Sequence, residues 1–228
     1  MLVITPAWRS AFPDAHAGIL VIRGVDNPPV HPELEHRKRD LENQMRARFA
    51  GGDRRSIAAL PSIQAYNAYY KPFNKTYHVQ HQLESIAFKG KDIPSVAGLV
   101  EAMFMAELKN QLLTAGHDLD TVRLPITLNV SDGTERYVVL RGEDQTLKAG
   151  DMYVADREGV ISNILYGPDR RTRITRGTRN VLFTVYAPRG ILPQAVHSHL
   201  QDIGDYVSTV SPAARVELLQ VFDAENAL

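Results

Sequence analysis

Five arginines, Arg170, Arg171, Arg173, Arg176 and Arg179, crowd one short stretch and are interleaved with Thr172, Thr175 and Thr178. A guanidinium offers a planar fork of donors that matches phosphate or carboxylate, so the stretch suits a polyanion or a set of acidic neighbours. In an extended chain Arg171 and Arg173 share a face with Thr175, and Arg170 shares one with Thr172. Both partners are available to them: the phosphates of a nucleic acid, or Asp118, Asp120, Asp151, Asp156 and Glu158 of the chain itself. A second constellation, His78-Val79-Gln80-His81 with Glu84 one turn on, has metal-ligand spacing on a helix. No third histidine follows at ligand spacing, so packing or surface histidines and no metal are expected. His197 and His199 alternate within a helical pattern and point different ways. There is no Gly-rich phosphate loop, no GxSxG elbow and no HExxH.

These groups need a frame. Hydrophobic residues make up 44% of the 228 and charged residues 23%, with 26 basic against 26 acidic side chains. That is the composition of an ordinary folded domain with no global polyanion attraction, so a nucleic-acid contact must be a local patch. Cysteine is absent, which excludes disulfides, thiolate metal sites and thiol nucleophiles. No run approaches the roughly 18 apolar residues of a membrane span. The start, Met1 to Pro6, lacks a basic leader, and a cytoplasmic protein is expected.

Gly18 to Gly24 predicts a buried strand, and Pro32 to Phe49 a helix closed by Gly51-Gly52. Helices are expected around Pro61–Tyr70, Val79–Phe88 and Ser95–Leu113. Beyond Asp118 the period switches to two. A hairpin is expected from Val122–Val130 and Arg136–Arg141 around Asp132-Gly133, and a second pair from Gly150–Asp156 and Val160–Asn163. A last strand covers Val181–Tyr186, followed by helices over Pro193–Val207 and Pro212–Phe222. Helices, then antiparallel strands, then helices predict an α+β single domain over 1–228. Tyr66, Tyr69, Tyr70, Phe73 and Tyr77 form an aromatic cluster that could stack bases or pack in the core. Asn74, His78 and Gln80 beside it are polar pocket candidates.

"GHDLDTV" (116–122), "LKAGDMYVADREGVIS" (147–162) and Thr178-Arg179-Asn180-Val181-Leu182-Phe183 occur in an order and spacing that carry a resemblance. Over about 66–187 the chain resembles the tRNA-binding and editing (B3/B4) domain of the phenylalanyl-tRNA synthetase β subunit, and more closely its free-standing forms. The resemblance implies an antiparallel barrel-like sheet ringed by helices. It implies hydrolysis, without metal or cofactor, of the ester of a mischarged aminoacyl-tRNA by a positioned water. Met103-Phe104 stand where the family has a pocket-facing Thr-Asn pair, Ala115 where it has a histidine, and Thr184 where a glutamate holds the tyrosine hydroxyl. His117 takes an aromatic position, and Tyr166-Gly167-Pro168 matches a glycine-containing turn. These exchanges remove the groups that read a tyrosine hydroxyl and leave an apolar pocket. His117 and Thr184 are then the groups for water or oxyanion positioning, with Ser162, Asn163 and Gly167 in the pocket and Arg170, Arg171, Arg173 and Arg176 for tRNA phosphate. No DNA or membrane partner is expected. Three readings stay open: a deacylase acting in trans, a non-catalytic module that binds tRNA or an amino-acid-like ligand, or a small-molecule enzyme built on the same scaffold.

Overall fold

The computed structural model describes residues 2–224. The chain enters through a short strand, β1 (Leu2–Ile4), and a helix, α1 (Pro6–Ala11), which Thr5 caps by accepting the Trp8 N–H. Strand β2 (His16–Arg23) is almost wholly buried, as its β-branched run requires. Five helices follow: α2 (Pro32–Arg48), α3 (Arg54–Ala58), α4 (Pro61–Tyr70), α5 (His78–Lys89) and α6 (Gly98–Asn110). The third expected helix ends early. Gln111, left-handed at φ 55, closes α6 and lets Leu113 start a strand instead.

The β block comprises β3 (Leu113–Asp118), β4 (Ile126–Val130), β5 (Arg136–Val138), β6 (Asp144–Thr146), β7 (Met152–Asp156), β8 (Gly159–Asn163), β9 (Gly167–Pro168) and β10 (Asn180–Ala187). It is followed by α7 (Pro193–Val210) and β11 (Arg215–Phe222). One sheet is antiparallel in the order β11-β2-β10-β3. The other is mixed, β1-β4-β7-β8-β9, with β1 parallel to β4, and β5-β6 stands apart as a ribbon. Three expectations are corrected. No closed barrel forms among the described residues; two open sheets lie in its place. The hairpin expected between Val122–Val130 and Arg136–Arg141 does not pair, because β1 and β7 occupy both sides of β4. The stretch expected as a terminal helix at Pro212–Phe222 is the edge strand β11, held by its ladder to β2. The β7–β8 pair forms as expected.

Alternation along β10 assigns its faces. Val181, Phe183 and Val185 share the side on which α7 packs, and Gly18 of β2 lies opposite Val185. A β-carbon on Gly18 would come within 2.7 Å of Val196 on α7, so only glycine allows that approach. Leu182, Thr184 and Tyr186 look the other way, toward the mixed sheet, where Ser162 Oγ meets Tyr186 Oη at 2.6 Å. The tyrosine cluster is core: Tyr66, Tyr70 and Tyr77 are buried, and Tyr66 stacks on Tyr77 at 4.2 Å. The Tyr66 hydroxyl also bridges the strand ends. It accepts the Leu113 N–H at 2.8 Å and donates to the Tyr186 carbonyl, where the register pairs Leu113 with Tyr186.

Candidate functional site

Strand β3 is an edge, with β10 on one side only. The segment that follows β9 covers its C-terminal half: His117 bridges to Arg173, and the Asp118 N–H donates to the Thr172 carbonyl at 2.7 Å. The N-terminal half, Leu113–Gly116, has no such cover and lines a cavity of about 520 Å³. Val100, Met103, Phe104 and Glu107 of α6 form a second wall, at the i, i+3, i+4, i+7 spacing of one helix face. The turn Asn163–Pro168 forms the third. Val96 and Leu140, both about half exposed, lie at the rim with His78 and Arg173.

Of the residues singled out from the sequence, His78, Met103, Phe104, Ala115, Asn163, Gly167 and Arg173 come together around this cavity. Asn163 is fully engaged there. Its Nδ2 donates to Asp151 Oδ2 at 2.7 Å, and its Oδ1 accepts from Tyr137 Oη and the Tyr166 N–H, each at 3.0 Å. Burial lifts the Asp151 carboxyl to about 7, although Tyr69 and Asn163 both donate to it. The remaining candidates lie elsewhere. Asn74 is an exposed left-handed residue ending a short 3-10 turn. Gln80 joins Asn67 to Glu84 on the helical layer. Ser162 and Thr184 sit between the sheets, both beside the Tyr186 hydroxyl.

His117 is also sealed. Its Nδ1 lies 2.8 Å from Thr172 Oγ1, and the Thr172 hydroxyl donates to Asp169, so the imidazole carries its proton on Nδ1. Burial lowers its pKa to about 3, which keeps the ring neutral. His81 lies 3.7 Å from Glu84, but that carboxylate is engaged by Arg54 at 2.8 Å and by Gln80. Among the described residues no group of three or more metal-ligating side chains converges.

The arginines divide. Arg171 is spent internally: it lies 2.8 Å from Asp156, 3.4 Å from Glu158 and 3.8 Å from Asp169, and it donates to the Thr121 carbonyl. Against its burial, Asp156 is held below the usual carboxylate range by backbone donors and by Arg171. Arg170, Arg173, Arg176 and Arg179 are exposed, and among the described residues none forms an ion pair; Arg173 and Arg179 reach only backbone carbonyls.

The residue missed from the sequence is Glu107. It is 2% exposed in the α6 wall, accepts the Thr114 N–H at 2.7 Å, and burial pushes its pKa up to about 8. The available signal was an acid four residues after Met103, on the same apolar helix face. No described helix is long and apolar enough to cross a membrane.

No family model matches this chain, and no curated protein does. Among solved structures, it is similar to an N-terminal fragment of the phenylalanyl-tRNA synthetase β-subunit from Pyrococcus horikoshii, with a TM-score of 0.50 and 13% identity. The match covers 97% of this chain and 50% of that one, so the chain spans about half the length of the fragment. At that identity the likeness is one of fold: the α+β arrangement described above recurs in a piece of a synthetase subunit.

Proposed function

We propose that this protein binds the aminoacylated end of a tRNA, with an apolar aminoacyl group in the β3 cavity and phosphates along Arg170, Arg173 and Arg176. The observation that carries the reading is Arg173, which belongs to both features: it lies at the cavity rim and in the row of arginines free of ion pairs. A wall of Val100, Met103, Phe104 and Leu113 suits an apolar side chain. The fold neighbour, a fragment of a tRNA synthetase subunit, is in keeping with an RNA partner. Recognition is favoured over hydrolysis because His117 and Thr184, the groups that the resemblance assigns to positioning a water, lie outside the cavity.

Band shifts with charged and uncharged tRNA across a salt series test this. Charged tRNA is expected to bind more tightly, with a log–log salt slope that falls by roughly 0.7–0.9 for each arginine removed. Changing Arg170, Arg173 and Arg176 together to Glu is expected to abolish the shift without moving the melting temperature. Equal binding of charged and uncharged tRNA, or a flat salt slope, rejects the reading. A deacylation panel run alongside is expected to give no turnover; turnover on one ester would assign a trans-acting deacylase instead.

A further inference from the structure

Four glutamates are buried among the described residues: Glu42, Glu84, Glu101 and Glu107. Three of them have a cation of this chain within 4 Å. Glu101 pairs with Lys38 at 2.9 Å, Glu84 with Arg54 at 2.8 Å, and Glu42 has Arg46 at 3.8 Å. Glu107 has none. A single backbone amide, that of Thr114, serves Oε1, and no side chain of the described residues donates to Oε2. A buried acid without a counter-ion is costly to keep, and packed apolar residues on the same face would have been cheaper. It is not hidden from ligands, however, because it forms part of the wall of the cavity.

Its surroundings define what could supply the missing partner. Val100, Met103 and Phe104 precede Glu107 along one helix face and are apolar, so the partner's own flank must be apolar too. Arg173, on the same cavity, sets a positive group where the ligand carries an anion or an ester. A primary amine next to an apolar side chain and a carboxyl-derived group satisfies all three. Resting on the proposed function, we infer that Glu107 is the specificity-determining residue that receives the α-amino group of an apolar aminoacyl moiety, while α6 packs its side chain. A free amino acid carries the same chemistry as the esterified one, and the tRNA arm below separates them.

Calorimetric titration of the full chain uses the methyl esters of leucine and phenylalanine and their N-acetyl counterparts. The amines are expected to bind at least about tenfold tighter than the acetylated esters, the size of one charge-assisted hydrogen bond. E107Q keeps an acceptor for the Thr114 amide and nearly the same volume, and it is expected to erase that preference. Acetylated esters that bind as tightly as amines, a preference that survives E107Q, or no binding by any amine would each overturn the inference. Acetylation changes only the ligand, so this arm stands even where the variant folds poorly. Band shifts with aminoacyl-tRNA, N-acetyl-aminoacyl-tRNA and uncharged tRNA then distinguish the two levels. Both charged forms binding alike, and above uncharged tRNA, removes the role of Glu107 and keeps the proposed function. Charged and uncharged tRNA binding alike, with the amine preference intact, removes the tRNA and keeps Glu107 as a receptor for a free amino acid.

Discussion

The two halves of β3 meet opposite fates along one edge. At His117–Asp118 a crossing segment pairs with the strand and links side chains into a chain: His117 to Thr172, Thr172 to Asp169, and Asp169 to Arg171. At Leu113–Gly116 no crossing segment pairs with the strand, and the buried edge becomes a cavity wall. Each half has a buried titratable group pushed toward its neutral form, His117 within the strand to about 3 and Glu107 of α6, bonded to the Thr114 amide, to about 8. His117 has a side-chain partner that fixes its tautomer, and its Nε2 is sealed in the core without one; Glu107 has an unserved oxygen in the cavity wall. The segment laid over the sheet edge takes up its backbone groups and shuts His117 away from any ligand, whereas the uncovered stretch leaves Glu107 within a ligand's reach.

The sharpest way to break the covered half is Thr172→Val. It strips the hydroxyl between His117 and Asp169, leaving the buried imidazole Nδ1 without a partner and Asp169 one donor short, at a cost of about 2–4 kcal/mol in urea unfolding. Arg171→Ala removes the cation from Asp156, whose side chain is fully buried, and is expected to cost about 1–3 kcal/mol. Its effect falls on stability, whereas Arg173→Ala is expected to weaken tRNA binding and leave stability within about 0.5 kcal/mol. Equal effects of these two variants would erase the distinction between the halves.

A pH series sharpens it further. Glu107 ionises near 4.5 in the unfolded chain and at about 8 when folded. Between those values the folded chain keeps a proton that the unfolded chain has lost, so stability falls as pH rises through the window. E107Q lacks this dependence, and its unfolding midpoint relative to the parent is expected to rise from pH 5 to pH 8. His117 works in the opposite sense. Its pKa of about 3 lies below the 6.5 of the unfolded chain, so its neutral burial costs stability as pH drops below 6.5. The smallest effect is expected of Arg141→Ala. Its pair with Glu143 spans 3.9 Å on an exposed ribbon outside both halves, and removing it should shift stability by less than about 0.5 kcal/mol.

Much of the frame was legible because periodicity survives folding. The strand at Gly18–Gly24, the helices at Pro32, Pro61, Val79 and Pro193, and the β7–β8 pair all follow from local pattern. What was lost depended on partners distant in sequence. The three residues of β1 carry no periodicity, yet they pair with β4 and forbid the expected hairpin. The Val216, Leu219 and Phe222 stripe reads equally well as a helix, and only the ladder to β2 makes it a strand. At the site, the positions drawn from the resemblance mark much of the cavity wall, because wall residues follow from fold. Glu107 escaped because an acid on an apolar helix face looks like a solvated one until the missing cation is noticed. Arg171 and Arg173 were indistinguishable in an extended stretch, and only the placement of Asp156 separates them.

The phenol of Tyr66 has a mechanical consequence. It occupies the rung between the Leu113 amide and the Tyr186 carbonyl, and both of those residues border the cavity. Because the ring is anchored in the helical layer, the spread of the two backbones there is fixed by the length of one rigid spacer instead of by the give of a sheet. The gap between these two wall strands is thus held by a side chain rooted in another layer.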